Sequence, residues 1–337
     1  MEKTYSWKDL KQIFDISEDR NTFVSNSEKG VIPKYHRGKN NYRVWDLKDL
    51  PDIGRVYSRD TVFSKRAEKA PVINIYVSKG GGSHKTTTTF NLAGNLAING
   101  LKVLVIDLDF QMNITKKLGI DNLRSTIESG GYFYEGLAEV LINGNKGIEE
   151  VICSTTIPGI DLIPASSNLV RLESWLVSQV KREHKISKII EPLKSKYDVI
   201  VIDNNPSWSQ LSINALFACD LNIASIGIDS NTIEALPQFF ETIEYAEIDL
   251  ADQVLLCGHD ESTSLKSEIR DTIEGEYEGF VCKNTIRKSV KVDEANLNHL
   301  PVILYEPKNQ ASDDFKKVTA EIWVRAIKAA NKIKLDC

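Results

Sequence analysis

The sequence predicts an α/β fold with a doubly wound, mostly parallel sheet, preceded by a small winged helix–turn–helix domain. Short β-branched runs without polar alternation indicate strands that are buried on both faces. Stretches with helical spacing separate these runs, so βα units repeat along most of the chain. Near the N-terminus, two short helical segments followed by an alternating hairpin are typical of a winged helix–turn–helix.

The composition is that of a globular protein with a sizeable core. The chain has 337 residues, of which 42% are apolar and 26% charged, which excludes a mostly disordered protein and suits two domains. No apolar run reaches the roughly 18 residues of a membrane span, and the N-terminus lacks a signal peptide's apolar stretch. The five cysteines form no CxxC pair, so neither a disulfide framework nor a metal knuckle is indicated. We therefore expect a cytoplasmic protein without a membrane partner.

Charge is distributed unevenly along the chain. The first 70 residues carry 15 Lys and Arg against 11 Asp and Glu, and the remainder carries 27 against 36. The N-terminal part is therefore at +4 and the rest at −9. A basic N-terminal part on an acidic body indicates a nucleic-acid module.

Seven apolar runs are candidate strands. They are VINIYVS at 72–78, KVLVID at 102–107, IDLIPA at 160–165, YDVIVID at 197–203, NIASIGI at 222–228, QVLLCGH at 253–259 and PVILY at 301–305. The charged stretch before the first run ends in a proline and is predicted to be a connector. We therefore expect a winged domain over 1–55, a linker over 56–70 and an α/β domain over 71–337.

The N-terminal part contains the local signals of a helix–turn–helix with a wing. Ser6 and Asp9 can cap a first helix, residues 18–27 can form a second, and an Asn40–Asn41 turn predicts a hairpin before a closing helix. Such a domain places its second helix in the DNA groove and its basic hairpin near the backbone. The basic candidates on the hairpin are Lys34, His36, Arg37, Lys39 and Arg43. A protein-docking domain is the alternative interpretation.

A glycine-rich loop follows the first predicted strand of the body. It runs Ser78-Lys79-Gly80-Gly81-Gly82-Ser83-His84-Lys85-Thr86-Thr87-Thr88-Thr89. Such a loop between a strand and a helix suits phosphate binding, because backbone N–H groups and the helix N-terminus converge on the anion. Lys85 is predicted to reach the β- and γ-phosphates, and Thr86 to bind Mg²⁺. A strict GxxxxGK[ST] pattern is absent, since Lys79 and His84 occupy the glycine positions, so a chance glycine-rich turn is the alternative.

Three aspartates lie at the ends of later predicted strands. Asp107 and Asp109 follow one strand, and Asp203 ends another. A carboxylate there can hold a Mg²⁺-bound water or orient an attacking water in phosphoryl transfer, although a single one can also cap the next helix. All three carboxylates lie at strand ends, in the order along the chain that is found in phosphate-loop proteins. This favours a role in binding Mg²⁺ or orienting water over a role as helix caps.

These motifs together resemble the ParA/MinD family of deviant Walker-A ATPases, in particular its partition ATPases. The segment KGGGSHKTTTTFNLAGNLAINGLKVLVIDLDFQMNIT is similar to the family's phosphate loop, first helix and D-x-D-P-Q-x-N segment. YDVIVIDNNPSWSQLSINAL is similar to its Walker-B strand and the switch that follows, and residues 286–322 are similar to its closing segment. The resemblance covers about residues 71–332. Residues 1–55 resemble the winged domain of the longer plasmid-type members.

The resemblance implies a site for ATP and Mg²⁺. It assigns catalytic roles to Lys85, to Asp109 as the residue that orients the hydrolytic water, and to Lys79, which would cross an ATP-bound dimer to the partner's phosphates. The implied ATP-binding positions are Gly80, Gly81, Gly82, Ser83, His84, Lys85, Thr86 and Thr87. The implied metal-site residues are Thr86, Asp107 and Asp203.

The chain departs from the family pattern in the loop and after two later strands. Lys79 lies six residues before Lys85 where the family has five, so either the loop holds one extra residue or Gly80 occupies the lysine's position. His84 stands where a small residue is usual, and Phe110 replaces the proline of D-x-D-P-Q. The adenine-side segment, usually D-x-R, reads Asp260-Glu261-Ser262. We expect these departures to affect the rate of ATP hydrolysis and to leave the fold unchanged.

The resemblance implies a nucleoid-associated DNA-segregation protein that dimerises on ATP, binds nonspecific DNA and is stimulated by a ParB-like centromere-binding partner. The winged domain would bind an operator or centromere site, which provides autoregulation. Nonspecific DNA contacts are expected at the C-terminal basic cluster, which consists of Arg287, Lys288, Lys291, Lys316 and Lys317. The alternatives are a nucleotide-gated DNA-binding regulator with little hydrolysis and a positioning ATPase for another cargo. The amphipathic C-terminal helix is expected to pack in the core rather than on a membrane.

Overall fold

The structure, a computed structural model, describes most of the chain. The described residues are 3–38, 41–77, 84–119, 126–128, 131–227, 236–237, 239–241, 243–244, 251–259 and 264–332. Several sequence predictions lie outside them, namely those for Lys39, Lys79, Gly80, Gly81, Gly82, Ser83 and residues 260–262.

The N-terminal residues form a small antiparallel sheet and three helices. In chain order the elements are β1 (Thr4–Ser6), α1 (Trp7–Ile13), α2 (Arg20–Glu28), β2 (His36–Arg37), β3 (Arg43–Asp46) and α3 (Leu50–Tyr57). The strand order is β1-β3-β2, with both pairs antiparallel. The predicted helix cap is present, since the backbone N–H of Ser6 donates to the Asp9 carboxylate at 2.9 Å. The helices, the hairpin and the closing helix lie where the sequence predicts them, and their assignment to a winged DNA-binding domain stays a prediction.

The remaining elements form the body. Its strands are β4 (Val72–Ile75), β5 (Val103–Asp107), β6 (Thr126–Glu128), β7 (Gly131–Phe133), β8 (Cys153–Ser154), β9 (Ile160–Ile163), β10 (Val199–Asp203), β11 (Leu221–Gly227), β12 (Ala251–His259) and β13 (Ile286–Arg287). Its helices are α4 (Lys85–Ile98), α5 (Asn113–Leu118), α6 (Leu137–Asn143), α7 (Leu169–Val177), α8 (Lys185–Ile190), α9 (Gln210–Ala218), α10 (Ser264–Glu276), α11 (Val290–Leu297), α12 (Val302–Tyr305) and α13 (Gln310–Lys332).

The central sheet has the predicted architecture. Within the described residues it contains eight strands in the order β13-β12-β11-β4-β10-β5-β9-β8, and all neighbours are parallel except β8 and β9. Along β5, Val103 and Val105 pack in the same apolar cluster as α4 and α13, whereas Leu104 and Ile106 pack with α7, α8 and α9. Because successive side chains of a strand point to opposite faces, helices cover both faces. The prediction of a doubly wound, mostly parallel sheet is confirmed.

The prediction of a strand at 301–305 was wrong, because this run forms the short helix α12. The backbone N–H of Val302 donates to Asn91 Oδ1 on α4 at 2.7 Å, so the first turn finds its partner on another helix. A Cβ placed on Gly94 of α4 would lie 2.3 Å from Pro301, which shows how closely the run sits on that helix. An apolar run buried between helices satisfies its backbone by local hydrogen bonds, and periodicity alone does not distinguish it from a strand.

The N-terminal domain packs directly on the C-terminal end of α4. A Cβ on Gly54 of α3 would lie 1.7 Å from the carbonyl oxygen of Ile98, so only glycine allows this approach. The Ser58 hydroxyl donates to Asn99 Oδ1 at 2.5 Å, and the Tyr5 hydroxyl donates to the carbonyl oxygen of Leu304 at 3.2 Å. Apolar side chains of both parts belong to one cluster of buried residues. The division into 1–55, 56–70 and 71–337 stays a prediction, and the parts it separates are in close contact.

The C-terminal helix α13 belongs to the core. Its apolar face is buried through Phe315, Val318, Ile322, Trp323 and Ala326, which confirms that the helix packs in the core. The indole N–H of Trp323 donates to the carbonyl oxygen of Val62 at 3.1 Å, which ties the segment before β4 to the helix. Among the helices of the described residues, none combines the length and the apolar character that crossing a bilayer requires.

Candidate nucleotide-binding site

The site lies where β5 and β10 end at the same edge of the sheet. Asp107 is the last residue of β5 and Asp203 is the last residue of β10, and the two are paired in the parallel register. Both carboxylates are buried, with exposed fractions of 1% and 0%. The carboxyl edge of a parallel sheet is the usual place for a ligand in such folds. The topology therefore brings together two acidic groups that are 96 positions apart in the printed sequence.

The first turn of α4 binds Asp203 through two hydroxyl groups. Thr86 Oγ1 donates to Asp203 Oδ2 at 2.8 Å, and Thr89 Oγ1 donates to Asp203 Oδ1 at 2.9 Å. Residues three apart on a helix lie on one face, so both threonines reach the same carboxylate. A hydroxyl and a carboxylate oxygen at hydrogen-bond distance are a suitable ligand pair for Mg²⁺, which binds hard oxygen donors.

Lys85 is the first residue of α4 and supplies the positive charge of the site. Only 8% of the residue is exposed. Burial lowers the pKa of Lys85, and the nearby carboxylates of Asp203 and Asp109 act in the opposite direction. A lysine at a helix N-terminus beside backbone N–H groups is the arrangement that attracts a phosphate.

The two buried aspartates carry more negative charge than the described residues around them neutralise. Burial raises the pKa of Asp107 and of Asp203, and the negative charge of Asp203 raises the pKa of Asp107 further. Next to them, Asn204 Oδ1 is buried and has no hydrogen-bond partner among the described residues. Two buried carboxylates at one edge of the sheet fit a divalent cation, because its positive charge would stabilise their ionised state.

Asp107 fixes the loop that carries Asp109. Asp107 Oδ1 accepts from the backbone N–H of Asp109 at 2.9 Å, and Oδ2 accepts from the backbone N–H and the hydroxyl of Thr115 at 3.1 and 2.7 Å. Both oxygens of Asp107 are thus held by donors of the chain. The Asp109 carboxylate accepts from the backbone N–H of Gln111 at 2.9 Å. Its position on the loop after β5 agrees with a role in orienting a water, which stays a prediction.

His84, immediately before α4, has a backbone conformation that favours glycine. Its φ is 52°, in the left-handed region, which costs a residue with a Cβ about 1 kcal/mol. Beside it lies a cavity of about 120 Å³. Its lining includes His84, Thr87, Thr88, Cys257 and Lys288. The sequence departs from the family pattern at a position where the chain needs the conformation that glycine adopts most readily.

Two residues of the site have a role that was not predicted from the sequence. Thr89 binds Asp203, and Thr115 holds Asp107. The run of threonines at 86–89 contained a signal for Thr89, since position i+3 on the helix shares a face with Thr86. Thr115 had no comparable signal, because its role depends on how α5 folds back against β5.

Two of the candidate DNA residues of the hairpin lie on the surface. Lys34 and Arg37 are exposed, and Arg37 Nη1 donates to the carbonyl oxygen of Asn41 at 2.8 Å. The Arg43 guanidinium lies 5.0 Å from the ring centre of Tyr35. Between α2 and the hairpin is a groove of about 400 Å³ lined by Trp7, Lys8, Arg20, Val24, Tyr42, Arg43 and Trp45, among others. Aromatic and basic side chains therefore meet on this face.

The C-terminal basic cluster is largely engaged in ion pairs within the protein. Arg287 forms a two-pronged ion pair with the buried Asp314, at 2.6 and 2.9 Å. Lys316 Nζ lies 2.5 Å from Asp15 Oδ1 and 3.0 Å from the carbonyl oxygen of Gln12, and its side chain is only 16% exposed. Lys291 pairs with Glu294 at 2.7 Å. The remaining members, Lys288 and Lys317, are exposed.

Comparison with known proteins identifies relatives across the body. A family model described as an AAA domain (AAA_31) matches residues 70–255. The sporulation initiation inhibitor protein Soj of Bacillus subtilis is 31% identical over 247 residues, which are 72% of this chain and 94% of that protein. The chromosome partitioning protein ParA of Myxococcus xanthus is 29% identical over 252 residues, 73% of this chain and 85% of that protein.

A solved structure shares the fold of the matched region. Cobyrinic acid a,c-diamide synthase from Mycobacterium smegmatis, solved with a bound ATP analogue and magnesium, is 25% identical and has a TM-score of 0.58. The match covers 70% of this chain and 91% of that one. The matched region of this chain is thus similar both to partitioning proteins and to a fold that holds a magnesium–nucleotide complex.

Proposed function

This chain belongs to the ParA/Soj family of AAA-domain ATPases, and from that premise we propose that it segregates DNA in an ATP-dependent cycle. The protein is an ATPase, and its cofactors are ATP and Mg²⁺. The observation that carries the proposal is the first turn of α4, where Lys85 is buried and Thr86 and Thr89 both bind Asp203.

Each residue of the site has a separate task in hydrolysis. Bound Mg²⁺ neutralises the charge of the phosphates, and Thr86 and Asp203 are the residues that would hold it. Lys85 attracts the β- and γ-phosphates to the start of α4. Asp109 orients the water that attacks, while Asp107 keeps the Asp109 loop in place through its hydrogen bonds. Thr87 lies one residue further on α4, and the family resemblance assigns it an α-phosphate contact.

ATP-dependent dimerisation is part of the proposal. In it, Lys79 reaches the phosphates bound by the partner subunit and stabilises the charge of the transition state, as an arginine finger does. In the alternative, Gly80 occupies the lysine's position and the loop supplies no cation to the partner. The two alternatives differ in whether the glycine-rich loop accommodates one additional residue. A dimer that forms only with ATP couples the nucleotide cycle to every activity that needs two subunits.

Two kinds of DNA contact complete the proposed cycle. The body binds DNA without sequence preference, and so associates with the nucleoid in the ATP state. The N-terminal domain binds an operator or centromere site with α2 and the hairpin that carries Lys34, Arg37, Lys39 and Arg43, which provides autoregulation. A ParB-like centromere-binding partner stimulates hydrolysis and releases the protein from DNA. The named relative in Myxococcus xanthus is a chromosome partitioning protein, which supports this choice of cargo.

One observation favours a second candidate, a nucleotide-gated DNA-binding regulator with little hydrolysis. His84 occupies a left-handed position at the entrance to α4, and an altered loop can bind nucleotide without aligning it for attack. The two candidates share the nucleotide site and differ only in turnover.

The experiment that separates them measures phosphate release by the full-length protein alone, with random duplex, and with duplex plus the product of a neighbouring ParB-like gene. The partition proposal expects slow basal turnover that rises when DNA and partner are both present. The matched control is the Lys85→Ala variant, which should show no turnover in any mixture. Tight ATP binding combined with no stimulated turnover would contradict the partition proposal and favour the regulator.

A further inference from the structure

Three buried asparagines are hydrogen-bonded to one another across the middle of the central sheet. Asn222 lies on β11, Asn74 lies on β4, and Asn204 follows β10 directly. The exposed fraction of each is at most 1%. The three strands are neighbours in the sheet, and Asn222 is paired with Asn74 in the parallel register. We call these three residues the asparagine network.

The amide groups of the network bind one another in the order of the strands. Asn74 Nδ2 donates to Asn222 Oδ1 at 3.0 Å, and Asn204 Nδ2 donates to Asn74 Oδ1 at 3.4 Å. At the other end, Asn222 Nδ2 donates to the carbonyl oxygen of Tyr76 at 3.3 Å. Asn204 Oδ1 has no partner among the described residues. Within that part of the chain, Asn74 is therefore the group that orients the Asn204 amide.

The surroundings of the network make buried amides costly. Asn74 is two residues after Val72, and alternate residues of a strand share a face, so the network lies on the face that α9 covers. The neighbouring side chains of Val72 and Ile202 are apolar and fully buried. Leucines in place of the amides would avoid the cost of burying polar groups. What the amides provide is direction, because a hydrogen bond fixes a distance and an angle and an apolar contact does not.

Asp203 and Asn204 point to opposite faces of the sheet. Asp203 binds Thr86 and Thr89 on α4, whereas Asn204 binds Asn74 on the face of α9. The peptide group between the two residues is thus held from both sides. By fixing the Asn204 amide, the network limits the rotation of the peptide that sets the direction of the Asp203 carboxylate.

The loops that follow β10 and β5 are bonded to each other. Asn205 Nδ2 donates to the carbonyl oxygen of Leu108 at 3.4 Å, and the backbone N–H of Leu108 donates to the carbonyl oxygen of Asp203 at 2.9 Å. Leu108 directly precedes Asp109, the residue to which we assign the attacking water. A displacement of the backbone at 203–205 would therefore move the Asp109 carboxylate as well.

We propose that Asn74 and Asn222 are positioning residues for ATP hydrolysis. Through Asn204 they hold the loops that carry Asp203 and Asp109 in the orientation that hydrolysis needs. This inference rests on the proposed function, because it adds supporting residues to the same hydrolytic site. The network lies on the face opposite to α4 and its phosphate-binding first turn. We therefore expect it to govern the rate of hydrolysis and to leave the affinity for ATP unchanged.

The test compares three variants of the full-length protein with Mg²⁺-ATP, duplex DNA and the ParB-like partner. Asn74→Leu/Asn222→Leu replaces the pair by apolar side chains with the same branching, Asn204→Ala removes the amide that the pair orients, and the third variant combines all three substitutions. The matched control is Asn95→Leu. Asn95 is also a fully buried amide with an unpartnered Oδ1 among the described residues, but it lies roughly 15 Å along α4 from Lys85.

Phosphate release gives kcat and KM, and thermal denaturation gives Tm. We expect the Asn74→Leu/Asn222→Leu variant to lower kcat roughly tenfold, since a misplacement of about 1 Å can cost up to a hundredfold. Its KM for ATP should stay near that of the wild type. The triple variant should be no slower than Asn204→Ala, because both remove the same support. The Tm of the triple variant should change little, since it removes the amides together with their partners. The control should hydrolyse ATP at the wild-type rate.

Three results obtained with the variants would overturn the inference. A wild-type kcat in the Asn74→Leu/Asn222→Leu variant would mean that the network serves only the packing of the sheet. Losses of kcat that multiply in the triple variant would mean that the pair acts independently of Asn204. A raised KM with an unchanged kcat would place the effect on nucleotide binding. If the wild type itself hydrolysed no ATP in this mixture, the proposed function would fail along with the inference, and that result is recognised before any substitution is made.

Discussion

Replacing Gly54 with alanine tests whether the N-terminal domain is part of the folded body. The residue lies within helix α3, where alanine is normally preferred to glycine by about 1 kcal/mol. Here the added Cβ would lie 1.7 Å from the carbonyl oxygen of Ile98 and 2.8 Å from its carbonyl carbon. Both atoms belong to the backbone at the end of α4 and cannot rotate away, so α3 and α4 would have to separate.

The magnitude follows from two opposing terms. Overpacking in a close contact costs about 3 kcal/mol at the upper end of its usual range, and the helix preference for alanine returns about 1 kcal/mol. We therefore expect Gly54→Ala to lower the free energy of unfolding by about 2 kcal/mol. Gly275→Ala is the matched control, because Gly275 lies in helix α10 and a Cβ there meets nothing within 4 Å. The free energy of unfolding of the Gly275→Ala variant should rise by about 1 kcal/mol.

Urea denaturation followed by circular dichroism and tryptophan fluorescence measures both variants. The two free energies of unfolding should differ by about 3 kcal/mol, with opposite signs relative to the wild type. Equal stabilisation of both variants would refute the reasoning, because it would mean that α3 does not rest on α4 in solution and that the N-terminal domain is only tethered.

Two further predictions concern the nucleotide site. Asp109→Ala should preserve the affinity for Mg²⁺-ATP, slow ATP hydrolysis and lengthen the life of the ATP-bound dimer. Nucleotide binding and single-turnover phosphate release measure these effects. Loss of ATP binding would contradict the water-orienting role of Asp109. His84→Gly should raise the free energy of unfolding by about 1 kcal/mol, because the left-handed backbone at this position costs a residue with a Cβ about that much. Thermal denaturation without nucleotide checks it, and a destabilised variant would show that the histidine side chain makes contacts worth more than its backbone strain.

Local signals in the sequence were sufficient for most elements of the fold. The Ser6–Asp9 cap was predictable because its donor and acceptor are three residues apart, and the structure contains it. The strands that end at Asp107 and Asp203 were predictable from apolar runs that are buried on both faces. Since parallel strands end at one edge, the sequence also predicted where acidic side chains and the start of α4 would meet.

Contacts between distant parts of the chain decided the rest. The run at 301–305 became a helix because α4 offers Asn91 to its first backbone N–H and Gly94 leaves room for Pro301. A basic residue such as Lys316 looks available for DNA in the sequence, yet it is neutralised by Asp15, which is 301 positions away. Short-range patterns encode where helices and strands form, since capping and amphipathicity act within a few residues. Which charges stay exposed and which apolar runs become helices depends on partners that only the folded chain brings into reach, because hydrogen bonds need donor–acceptor distances of about 3 Å and charges in salt solution interact strongly only within about 10 Å.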